Sequence, residues 1–125
     1  MFYSILAVGA GSFAGGALRY VVSCALRGSG AGAFPAGTFA VNIAGCLLIG
    51  LLYGVFERGG IMNAHLRLFL TVGFCGGFTT FSTFVNESYA LMRGGDFLMP
   101  AIYAAASLAA GLVMLHLGHL AVRMI

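Results

Sequence analysis

Gly76-Gly77-Phe78-Thr79-Thr80-Phe81-Ser82-Thr83-Phe84 lies within the third of four apolar stretches, and its reading decides the fold. Two adjacent glycines and four clustered hydroxyl residues interrupt a run otherwise apolar enough to cross a bilayer. Non-helical backbone at membrane depth is tolerated only where protein buries it or where it lines a polar cavity. Interrupted helices of this kind recur at ion and substrate sites near the bilayer midplane. The stretch is therefore read as a functional site, with a third helix broken mid-membrane as the expected feature of the fold.

Working outward, the chain has 125 residues, is 61% hydrophobic and 7% charged, and contains neither Lys nor Trp. Apolar runs of about 18 residues or more are candidate transmembrane helices. Four fit, at roughly 2–25, 36–56, 67–91 and 98–122, taking about 20 residues per span. So little chain remains that the expected architecture is one all-α transmembrane domain over residues 1–125. The first run lacks a basic leader and exceeds the roughly 7–15 apolar residues of a signal sequence, so it is read as a retained helix. Cys24, Cys46 and Cys75 show no CxxC spacing and read as small apolar packing residues. There is no GxSxG, carboxylate pair, P-loop or HExxH, so no enzyme is expected. A formal charge of +3, scattered along the chain, gives no footprint for nucleic acid.

All six basic residues are Arg. With four spans, Arg58, Arg67 and Arg123 share one side of the membrane. Arg27 and Arg93, with Arg19 near the same end of span one, share the other. Lys/Arg bias normally sets orientation, and here neither side wins. The balance predicts dual insertion, compatible with an antiparallel homodimer; a single orientation set by a partner or by insertion order is the alternative. The stretch from Arg27 to Pro35 reads as a glycine-rich connector, Glu57-Arg58-Gly59-Gly60 closes span two, and Arg93-Gly94-Gly95-Asp96 forms a tight turn. Gly11/Gly15 and Gly50/Gly54 are GxxxG pairs, and the alanines of span four give it a small face; both suit close helix approach in lipid.

Thr38 and Asn42 stand four residues apart on one face of span two. An Asn amide in an apolar span needs a partner. It reads either as an interhelical hydrogen bond or as an uncharged donor to an anion. Phe81 and Phe84 follow the interruption at i, i+3, and the positive edges of aromatic rings can face a small anion without a formal charge. The hydroxyls of Thr79, Thr80, Ser82 and Thr83 either cap freed backbone groups or point into a conduit. Freed carbonyls are ready ligands for a hard cation such as Na+. Tyr103 and Ser107 begin an i, i+4 row on span four that continues through Gly111 to Leu115. Glu87 has structural and functional readings, with Thr83, Ser88 or the interface near Arg93 as its expected partners. Arg19 either snorkels to the interface or lines an anion-attracting vestibule. His116 and His119 read as interfacial polar residues.

These residues resemble the CrcB (Fluc) family of bacterial fluoride channels. The interrupted third span carries most of the likeness, joined by Thr38 and Asn42 in a Gly-Thr-Phe-x-Val-Asn context and by Gly16-Ala17-Leu18-Arg19-Tyr20 in span one. The resemblance implies an antiparallel, dual-topology homodimer in the inner membrane, with two fluoride pores around a central structural Na+. By match, Phe81 and Phe84 are the pore phenylalanines, Asn42 the pore asparagine, and Tyr103 and Ser107 parts of a polar track. Thr38 lies near the pore, and the backbone carbonyls of Gly76 and Thr79 hold Na+; Ser82 and Thr83 are counted with the pore on the reading that their hydroxyls point into the conduit. The implied function is passive export of cytoplasmic fluoride, which enters as HF and is trapped by ionisation. Gly111 and Leu115 depart from the pattern, because some members carry hydroxyls there. Two alternatives stay open: a proton-coupled multidrug exporter, for which only Glu87 supplies a carboxylate, and a non-transporting assembly subunit.

Overall fold

The computed structural model describes residues 1–26, 34–60 and 63–125. Arg27 and the glycine-rich part of the connector lie outside the described residues. Among those described, all regular structure is helical: α1 (Phe2–Ala25), α2 (Ala36–Glu57), a composite third span and α6 (Leu98–Arg123). The third span comprises α3 (Ala64–Leu68), a π-helical segment (Phe69–Cys75), the single turn α4 (Gly76–Phe78) and α5 (Ser82–Arg93), with residues 79–81 outside any helix. Four spans are thus long and apolar enough to cross a membrane: Phe2–Ala25, Ala36–Glu57, Ala64–Arg93 and Leu98–Arg123.

Local chemistry fixes the ends. Pro35 precedes α2, where its ring presets the backbone and its missing N–H costs nothing. The Asn63 side chain accepts from the amides of His65 and Leu66 (2.9 and 3.2 Å), which starts the third span before its apolar run begins. Gly95 takes φ +90° in the turn ahead of α6, and Asp96 Oδ1 accepts from Met99 N at 3.0 Å.

The helices pair through glycine. A methyl group at Gly11 would strike the carbonyl oxygen of Phe69, and one at Gly15 that of Phe74. Gly77 answers from the other side, 2.7 Å being all the room a Cβ would have to Ser12 O. α1 and the third span therefore touch backbone to backbone. α2 and α6 do the same, with Gly50 against Leu115 O and Gly118 against the backbone of Leu47 and Leu51. Both GxxxG pairs are used, each in a different helix pair. At one end Glu57 and His119 approach to 2.6 Å, and Arg58 donates to Val122 O at 2.9 Å, tying α2 to α6 again.

Few large side chains are enclosed: Val41, Cys75 and Tyr103 are fully buried, while Phe13, Leu112 and many others face outward. Water would not tolerate that surface, but acyl chains do. The chain is a multi-pass membrane protein. The π-helical segment Phe69–Cys75 departs from the plain α-helix that the apolar run predicts. Thr71 Oγ1 donates to Arg67 O at 2.7 Å, competing for the carbonyl that an α-helical Thr71 amide would use. Segments of this type are frequent next to functional sites.

Candidate functional site

The two glycine-locked pairs meet at the interruption. Thr79 is extended (φ −83°, ψ 161°), so the α4 carbonyls lose their i+4 amides and the next backbone groups need other partners. Side chains supply them. Arg19 Nε donates to Gly77 O at 3.0 Å. Asn42 Nδ2 donates to Thr80 O at 3.0 Å, while Asn42 Oδ1 accepts from Thr80 N at 2.8 Å. Thr80 Oγ1 accepts from Thr83 N at 3.3 Å and so caps α5. The Thr79 hydroxyl donates to Cys75 O at 2.9 Å. Gly76 O has lost its helical partner, because the Thr80 amide turns to Asn42 instead.

Beside the interruption lies a cavity of about 670 Å³, open on one side. Asn42, Gly76, Thr79, Phe81, Phe84 and Ser107 all line it, so the structure gathers six of the residues singled out from sequence. Among the described residues, no charged side chain lines it. Ser107 Oγ is buried and has no hydrogen-bond partner among the described residues. A buried unpaired hydroxyl costs stability, and such groups in native structures call for an explanation. Phe81 and Phe84 stack with ring centres 6.0 Å apart, and Phe84 rests on Tyr103 at 4.7 Å. Phe81 is 76% exposed, at the open side.

Other candidates stand apart from the cavity lining. Thr38 Oγ1 donates to Glu87 Oε2 at 2.9 Å and Tyr103 OH to Glu87 Oε1 at 3.1 Å. Glu87 thus joins α2, α5 and α6, and its partners are not those expected: Ser88 instead donates to Phe84 O at 2.9 Å. Thr83 does not reach the lining, and Ser82 borders a separate outward hollow with Phe81. Arg19, read as snorkelling or vestibular, is a clamp on the broken helix. Nothing local in the sequence points to that bond.

Thr38 and Tyr103 are buried, so Glu87→Ala would take the carboxylate acceptor from both hydroxyls and leave them only each other. The expected cost is about 2 kcal/mol or more, visible as a lower thermal midpoint in detergent. Glu87→Gln keeps one acceptor oxygen and should lose less. An unchanged midpoint for the alanine variant contradicts the tethering role.

Comparison of the sequence with known proteins shows its family. Residues 6–119 match the family described as CrcB-like protein, Camphor Resistance (CrcB). A relative from Chlorobaculum tepidum, named fluoride-specific ion channel FluC, is 49% identical over 117 residues, covering 94% of this chain and 92% of its own. Relatives with the same name from Methylobacterium nodulans (52% identical over 108 residues, 86% of this chain and 85% of its own) and Phocaeicola vulgatus (44% over 115 residues, 92% and 94%) are similar over nearly as much. With these likenesses spanning all four helices, the chain belongs to the CrcB-like family.

Proposed function

We propose that the chain is a fluoride-selective passive channel that exports cytoplasmic fluoride across the bacterial inner membrane. The observation that carries this reading is the buried, unpartnered Ser107 hydroxyl, in an uncharged cavity shared with Asn42 and the Phe81–Phe84 pair. Fluoride is small and strongly hydrated, so removing its water requires closely placed donors. Conduction also needs binding weak enough to release. A hydroxyl, an amide and ring edges meet both conditions, whereas a buried guanidinium would trap the ion. The interruption also begins α5 at the cavity edge, and the amino end of a half-helix favours an anion. The relatives' shared name supports the same ion.

The working unit in this proposal is an antiparallel, dual-topology homodimer with two pores and the interruption at mid-membrane. In support, the cavity is open on one side and Phe81 among its lining residues is exposed, which a second copy would cover. A central structural Na+ fits the donors present. Gly76 is exposed with its carbonyl released from the helix, and Thr79 is extended beside it. Carbonyl oxygens suit a hard cation, and a second copy would bring the same pair. The proton-coupled exporter reading needs Glu87 free to exchange ligands; both of its oxygens accept from Thr38 and Tyr103, and it does not line the cavity.

Two tests follow. Expression of the chain in a fluoride-sensitive bacterium should permit growth at fluoride levels that stop the empty-vector strain; equal sensitivity contradicts the reading. Ser107→Ala should lower fluoride flux about tenfold, the size of one lost hydrogen bond to an ion, while leaving thermal stability unchanged or raised. Loss of stability with unaltered flux would make Ser107 a packing residue only.

A further inference from the structure

The parallel run of α2 and α6 turns the cavity into a ladder whose rungs can be compared. Thr38 and Tyr103 meet at one level through Glu87, and Asn42 and Ser107 line the next. One turn further, a Cβ at Gly111 would lie 3.2 Å from Cys46 Sγ, and beyond that Gly50 abuts Leu115 O. Each step of four residues advances about 6 Å. The row of polar side chains that α2 and α6 contribute therefore ends at Asn42 and Ser107, while the Thr79 hydroxyl nearby is spent on Cys75 O. The following turns expose Cys46, Ile49 and Leu115 to the same cavity, with no amide or hydroxyl side chain among them.

We propose that Cys46, Ile49 and Leu115 form an apolar section that limits the throughput of the conduit. The inference rests on the fluoride-channel reading and adds where this chain's barrier lies. An anion leaving Asn42 and Ser107 has given up water for their donors. At the next level it meets a thiol, which is a weak donor, and two branched hydrocarbon side chains. Partial dehydration there is uncompensated, and hydrophobic constrictions oppose passage in this way. The two ends of the cavity thus play different parts: one selects, the other throttles.

The test adds a donor to the section, in one variant at nearly constant bulk. Cys46→Ser is nearly isosteric, and Leu115→Thr places a hydroxyl one turn further. In liposomes loaded with potassium fluoride and read with a fluoride electrode, each should raise efflux about fivefold, the scale of one hydrogen bond's net contribution. Leu115→Phe, bulkier and apolar, should lower efflux by a similar factor. Leu112→Thr adds the same hydroxyl to the outward face of α6, where Leu112 is 62% exposed, and should leave efflux as in the parent. Cys46→Ser preserves the test should Leu115→Thr fail to fold. A conducting parent with unchanged or slower hydroxyl variants overturns the throttle alone. A parent that passes no fluoride overturns the channel reading beneath it.

Discussion

Exchanging Asn42 for Asp is expected to reduce fluoride flux about a hundredfold or more and to weaken the fold at the same time. The amide is a two-way clasp: its nitrogen serves Thr80 O and its oxygen serves Thr80 N. A carboxylate keeps the second bond and destroys the first, setting an anionic oxygen against a carbonyl oxygen about 3 Å away in a partly buried site. It also faces the cavity with the wrong sign for an anion. Each fault is worth about 1–3 kcal/mol, which together give the hundredfold scale. Flux must be measured on the monodisperse fraction, alongside its thermal midpoint. Parent-like flux with a parent-like midpoint would remove Asn42 from both roles.

Gly15→Ala should be, with Gly50→Ala, among the most damaging single methyls at the described residues. Its Cβ would fall on Phe74 O, with Phe78 N only 2.9 Å away. Both obstacles are backbone, so neither can rotate aside, and α1 must lift off the third span. Overpacking of this kind costs about 1–3 kcal/mol, occasionally more. The displaced surface also carries Arg19, whose bond to Gly77 O closes the broken helix. Loss of monodisperse protein, or a sharply lowered midpoint, is the expected result. Gly9→Ala, on the same helix with nothing within 4 Å of the added methyl, should be neutral. Equal behaviour of the two variants would contradict glycine-mediated packing of α1 on the third span.

The spans were legible because hydropathy is a coarse signal that survives without tertiary knowledge. The third one shows its limit. Its helix starts at Ala64, where Asn63 caps it, although His65 and Arg67 carry no apolar signal. Hydropathy marks what suits lipid, whereas capping marks where the helix begins. The π-helical segment was illegible for a related reason: it depends on which partner each carbonyl finds, and Phe69–Cys75 keeps an ordinary apolar composition.

At the site, residue types could be read but partnerships could not. The interruption itself announced freed backbone groups, and Asn42 announced a need for partners. That the two needs answer each other, 38 residues apart in sequence, emerges only from the fold. Glu87 teaches the same lesson in reverse. Its expected partners were neighbours in sequence, yet the acceptors are used by Thr38 and Tyr103, 49 and 16 residues away. Arg19 looked like a charge seeking water or an anion, and instead it satisfies a carbonyl that a continuous helix would have satisfied alone. Long-range bonds of this sort leave no local periodicity.

The most direct test of the account uses vesicles loaded with equal fluoride and chloride, with efflux of both anions recorded from the same sample. The uncharged cavity predicts rapid, protein-dependent loss of fluoride while chloride stays inside. Retention of both anions, or their release at equal rates, would contradict it.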